Sequence, residues 1–206
     1  MKEMIFFMKK KKILGIVVGV VIVLGAIGSC MGPDKTADKS GTTAKDTKQV
    51  EQQKASPEME MYKKFVTLKM GSDYNTVKTT LGVEGTLQHE NDVAGIKTQS
   101  YEFKAGGTYA TMMFQNGALV SKAMDSLSFY QQSGEKITQA EFNKIQTGMN
   151  YKQVKDIFKR DGVLKSETSI AGMGSQLFSW MNSDGSNAII TFGANGVDSK
   201  SQMGLK

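Results

Sequence analysis

FVTLKMGSDYNTVKTTL (residues 65–81) and FNKIQTGMNYKQVKDIF (residues 142–158) are two versions of one pattern, set apart by an offset of 77 residues. Phe65 meets Phe142, Leu68 meets Ile145 and Gly71 meets Gly148. Tyr74, Val77 and Lys78 meet Tyr151, Val154 and Lys155, and Leu81 meets Phe158. Self-similarity of this length marks an internal repeat, so the fold is a small unit used twice. Within each copy the apolar residues recur at helical spacing on either side of a glycine, which predicts two helices joined by a turn. Ser56-Pro57-Glu58 supplies a start signal for the first helix, expected to run through Tyr62, Phe65 and Leu68 and to end near Gly71. A second helix starts at Asp73. In the later copy Thr138-x-x-Glu141 reads as a capping box, and Asn150 caps the next helix.

Beyond Gly82 the period changes. Val93–Lys104, Thr108–Gln115 and Leu119–Asp125 alternate or carry β-favouring residues, with Gly106-Gly107 and Asn116-Gly117 as hairpin turns. The match continues through Gly85-x-Leu87 with Gly162-x-Leu164, Ala94-Gly95 with Ala171-Gly172, and Tyr101-x-Phe103 with Phe178-x-Trp180. One inserted residue then aligns Ala110-x-Met112-x-Phe114 with Ala188-x-Ile190-x-Phe192, Ser121-Lys122 with Ser199-Lys200, and Leu127 with Leu205. Each copy is therefore helix, helix, then three or four antiparallel strands, an α+β unit spanning 56–127 and again 138–206, with 128–137 as linker. A unit this small gains from sharing a sheet with its neighbour.

The N-terminal region reads differently. Lys9 to Lys12 precede an apolar run, Ile13–Ile27, that is shorter than the ~20 residues of a membrane span and ends in small residues. Residues 1–29 are thus expected to be an export signal, with either Met1 or Met8 as the true start. Cys30, the only cysteine, follows at once. Ile27-Gly28-Ser29-Cys30 resembles the bacterial lipobox, which implies lipidation of Cys30, with two acyl chains giving a stable anchor in the bilayer. The alternative is an uncleaved signal anchor. Residues 30–55, nearly devoid of apolar side chains, are expected to form a disordered spacer. The net charge of +6 includes +4 from residues 1–29, leaving +2 for the exported part. That excess is membrane topology information rather than a nucleic-acid footprint, and nucleic-acid binding is excluded.

Phe142-x-x-Ile145-x-x-Gly148-Met149-x-x-x-x-Val154, the aromatic-x-aromatic strand and Asn195-Gly196 before Ser199-Lys200-Ser201 resemble the β-lactamase inhibitor protein family, and more closely its Gram-positive lipoprotein relatives. The plan is also similar to the small outer-membrane assembly lipoproteins. The resemblance covers about residues 60–206. It implies tandem helix-helix-sheet repeats forming a concave sheet, helices on the other face, with the concave face gripping a partner protein.

Strand parity locates that face, because side chains alternate sides along a strand. Tyr101, Phe103, Ala110, Met112 and Phe114, with Phe178, Trp180, Ala188, Ile190 and Phe192, are expected to form the core. The opposite face then carries Ser100, Glu102, Thr111, Met113, Ala123 and Asp125 in the first copy. In the second it carries Leu177, Ser179, Ile189, Thr191, Ser201 and Met203. These are the candidate partner-binding residues. Small polar side chains and methionines stand where the family's inhibitors present aromatics.

Catalytic parts are lacking. His89 is the only histidine and faces Ser166 in the other copy, so neither a zinc site nor a Ser-His or Cys-His system can be assembled. Asn182-x-Asp184-Gly185-x-Asn187 resembles a calcium loop but lacks the distal glutamate and sits where a hairpin turn is due. Neither metal nor cofactor is expected. The functional expectation is a lipid-anchored binder of an envelope or extracellular protein, either inhibitor-like or an assembly scaffold. An unrecognised hydrolase is the remote alternative.

Overall fold

The structure, a computed structural model, describes residues 56–127, 130 and 134–206. The expected signal segment, Cys30 and the spacer lie outside the described residues, which all belong to one compact unit, Glu51–Lys206. Helix α1 spans Pro57–Thr67, with the Ser56 hydroxyl accepting from the Met59 amide and Met61, Tyr62 and Phe65 buried. It stops short of Gly71, because Leu68 turns extended and packs into the core at 5% exposure. Gly71 instead sits in the following turn at a φ of 86°, a conformation that favours glycine. Helix α2 spans Tyr74–Leu81, capped by the Asp73 carboxylate on the Thr76 amide and closed by left-handed Gly82. The second half repeats this with α3 (Gln139–Lys144) and α4 (Tyr151–Phe158), each opened by a complete capping box.

Four strands follow each helix pair: β1 (Gly85–Val93), β2 (Ile96–Ala105), β3 (Thr108–Gln115) and β4 (Ala118–Met124), then β5 (Val163–Ile170), β6 (Met173–Met181), β7 (Asn187–Gly193) and β8 (Gly196–Met203). All eight pair antiparallel in sequence order, so the sheet is open, with β1 and β8 as its edges. The stretch expected as one strand from Val93 to Lys104 is instead the end of β1, a turn, and β2. Ala94 and Gly95 hold φ of 54° and 79°, as do Ala171 and Gly172 at 51° and 80°. Strand β1 hides in the sequence because eight of its nine residues are exposed, which leaves no apolar alternation to read.

The helices cover one face. Phe103, Ala110, Met112 and Phe114 are buried beneath the first pair, and Trp180, Ala188, Ile190 and Phe192 beneath the second. Tyr74 stacks among Tyr101, Phe103 and Phe114, and Tyr151 among Phe178, Trp180 and Phe192. Each tyrosine hydroxyl also accepts an amide at the start of the sheet, from Gly85 and Gly162 respectively. Those glycines are required by contact: a Cβ would lie 2.6 Å from the Phe103 ring in one half and 2.6 Å from the Trp180 indole in the other.

The halves join through β4 and β5, with Ser121 opposite Thr168, Lys122 opposite Glu167 and Ala123 opposite Ser166. Tyr62 reinforces the join by accepting the Leu164 amide at 3.0 Å.

Candidate protein-binding face

The sheet face away from the helices is organised in rows. One row crosses all eight strands: Thr86, Glu102, Thr111, Ala123, Ser166, Leu177, Thr191, Ser199. At the usual strand spacing it is about 34 Å long. A second row runs His89, Ser100, Met113, Ser121, Thr168, Ser175. A third, in the later half, runs from Ser179 through Ile189 to Ser201. The expected residues Ser100, Glu102, Thr111, Met113, Ala123, Leu177, Ile189 and Thr191 are half-buried, and Asp125, Ser201 and Met203 are exposed. Ser179 differs. It is 5% exposed and lines a small recess with Leu127, Tyr130, Val163, Lys165 and Met181, so it is not presented to a partner. Leu127 and Tyr130, which follow β4 in the chain, share that recess, a neighbourhood strand parity cannot foresee.

Parity also places a residue that the sequence reading passed over. Tyr109 lies opposite Lys104 in register, on the same face as Thr111, and is half-buried. The Asp125 amide donates to the Tyr109 carbonyl at 3.0 Å. The negative charge of Asp125, followed by burial, pushes the Tyr109 hydroxyl above its ordinary value. Lys104 pairs with Glu102 at 2.9 Å beside it. The first half thus offers an aromatic ring set among charges. The alternation outward from buried Ala110 was the signal that could have found it.

The equivalent positions of the second half are chemically different. Asn187, buried, stands for Tyr109; Met203 for Asp125; Met181 for Lys104; Leu177 for Ser100; Ile189 for Thr111. Met181 and Met203 are 42% and 61% exposed. The first half therefore carries a charged, aromatic corner where the second carries Met181, Leu177, Ile189 and Met203 among serines and threonines.

No group of His, Cys, Asp or Glu among the described residues could hold a metal ion. His89 is exposed on the edge strand β1. Asn182 closes a turn, its amide donating to the Ser186 carbonyl at 2.8 Å, and its side chain is committed to Ile137, Arg160 and Ser186. Asp184 holds Lys136 and Ser186, which keep its carboxyl well below the usual carboxylate range.

The model of the family described as beta-lactamase inhibitor (BLIP) matches residues 61–178, from α1 into β6. The chain belongs to the BLIP family. A crystal structure of a Streptococcus mutans protein, provisionally named a beta-lactamase inhibitor protein, shares the fold with a TM-score of 0.60 at 16% identity. The match covers 74% of this chain and 100% of that one. No curated protein matches the chain. The BLIP match runs through the β4–β5 junction, so most of α1, the other three helices and the join between halves fall within it.

Proposed function

We propose that the chain is a lipid-anchored extracellular lipoprotein whose open sheet face binds a protein, with a β-lactamase-type enzyme as the inhibitor-like reading of its partner. The observation that carries this is the contrast between the two faces. The helix-side residues repeat from half to half, as one fold used twice requires. Most open-face residues do not, and the contrast between the Tyr109 corner and the Leu177–Ile189–Met203 group suits an asymmetric partner. Tyrosine is a frequent interface anchor, and family membership supports a partner that is a protein. Lipidation of Cys30 would hold the face outside the cell, and lipid labelling that survives Cys30→Ala would overturn the anchoring.

The scarcity of aromatic side chains elsewhere on the face favours a second reading, an assembly scaffold without inhibitory action. Residues 51–206 separate the two. They form one compact unit, and the Streptococcus mutans chain that shares the fold is matched over its full length. Titration of that unit against a panel of class A β-lactamases should inhibit hydrolysis of a chromogenic substrate. Tyr109→Ala should then weaken inhibition by about tenfold or more, roughly 1.4 kcal/mol. No inhibition at tens of micromolar, with a cross-linked envelope protein recovered through the same face, would leave the scaffold reading standing.

A further inference from the structure

The β4–β5 junction is built from residues that the repeat also places on the two outer edges of the sheet. At the junction Lys122 of β4 meets Glu167 of β5 at 3.0 Å. The repeat equivalent of Lys122 is Lys200 on the free edge strand β8, and the equivalent of Glu167 is Glu90 on the free edge strand β1. The correspondence is structural as well as sequential. Gln99 donates to Glu90 at 2.6 Å as Gln176 donates to Glu167 at 3.1 Å. The β1–β2 ladder shifts register between Leu87 and His89, and the β5–β6 ladder between Leu164 and Ser166, the matching place. Leu164 is 7% exposed in the junction, whereas its equivalent Leu87 is left 46% exposed at the outer edge.

We propose that a second copy of this chain adds head to tail, its β1 pairing antiparallel with β8 of the first, in the register of the β4–β5 junction. Ser199, Lys200 and Ser201 of one copy then face Asn91, Glu90 and His89 of the next. Lys200 takes Glu90 as its counter-charge and Leu87 is covered. A lysine on an edge strand commonly serves to block such pairing. Here the same lysine lies inside a paired strand at Lys122, where a glutamate across the ladder accommodates it; Glu90 offers the equivalent carboxylate, which Lys200 would share with Lys97, 3.1 Å away on the same edge hairpin. The contact is heterologous, so it propagates along a row of copies rather than closing on two. It lacks the covalent link of the internal junction, and Gln139 stands where Tyr62 reinforces that junction, so association is weak and concentration-dependent. It pairs the edge strands β1 and β8 and draws its charge pair and Leu87 from the helix side, leaving Tyr109 on the interior strand β3 uncovered, so it stands or falls separately from the proposed partner binding.

Residues 51–206 contain no cysteine, which permits a direct test. Residues 89 and 201 lie on opposite edges of one sheet, about 34 Å apart, too far for a disulfide within a chain. His89→Cys and Ser201→Cys chains mixed under mild oxidation should form the mixed disulfide at least about fivefold faster than either forms its own. Adding Glu90→Lys to the His89→Cys chain should remove that advantage, and combining it with Lys200→Glu in the Ser201→Cys chain should restore it. Because Lys200→Glu can disturb α3, Leu87→Lys in the His89→Cys chain serves as a second edge variant and should also abolish the advantage. Equal rates for all three disulfides would overturn the proposal. So would a dominant Ser201→Cys homodimer, the mark of symmetric β8–β8 pairing. Loss of the mixed product in chains extended to residue 31 would place the chain's own preceding segment on the edge and overturn it as well.

Discussion

Lys122 and Lys200 occupy the same place in the two halves, and their surroundings show what a central position demands. Each reaches across to the end of the first helix of its own half. Lys122 donates to the Phe65 and Leu68 carbonyls at 3.1 and 2.6 Å, and Lys200 to the Phe142 and Ile145 carbonyls at 2.9 and 2.6 Å. Each ammonium also lies over a phenylalanine ring, at 5.1 Å from the Phe65 centroid and 4.5 Å from that of Phe142. These are carbonyls a helix leaves unpaired at its C-terminus, where a cation is favourable. The difference is burial. Lys122 is fully buried where the halves meet and has Glu167 of the other half as counter-ion. Lys200, on the edge, is exposed and has no ion pair among the described residues. A buried charge must be paired; the same charge at an edge can rely on water.

The largest expected effect tests that contrast. Lys122→Ala removes two carbonyl partners and strands the partly buried Glu167, at a cost of about 3–5 kcal/mol. Lys200→Ala removes the same carbonyl contacts beside solvent and costs about 1–2 kcal/mol. Urea unfolding of residues 51–206 measures both, and equal losses would mean that burial is not what separates the two sites.

The glycines under the aromatic rings come next. Gly85→Ala and Gly162→Ala each force a ring aside and should cost about 1–3 kcal/mol. Trp180 is the only tryptophan, so Gly162→Ala should also shift the emission spectrum while Gly85→Ala leaves it unchanged. A spectral shift from Gly85→Ala would mean that the two cores are mechanically coupled.

The smallest effect is alkaline. Burial, with a smaller contribution from the hydrogen bond to Asp161, pushes the Tyr151 hydroxyl up to about 12, and burial pushes Tyr62 higher still. An unfolded tyrosine ionises near 10. The folded state therefore keeps these protons longer. Their contribution to stability is fully present below about pH 10 and is lost as pH rises toward about 12. Tyr151→Phe should flatten part of that decline in the urea midpoint, and an unchanged slope would remove Tyr151 from the account.

The parts legible in the sequence are those settled by near neighbours. Ser56, Asp73, Thr138 and Asn150 cap helices through amides three residues away, so their role is written locally. The core strands β3 and β7 alternate because one face is buried. Strand β1 escaped because an edge strand with little burial carries no such pattern. Tyr109 was within reach, since the parity that buries Ala110 turns its neighbour outward.

By itself, then, the sequence determined a repeated helix-helix-sheet unit, its caps and turns, and which strand residues face the helices, because each follows from local hydrogen bonding or from a period. Only the tertiary structure decided that β4 pairs with β5, that Lys122 is buried against Glu167, and that Ser179 is withdrawn from the open face. Those outcomes depend on where residues distant in the chain come to lie, and burial and charge pairing are properties of that placement rather than of any stretch of sequence.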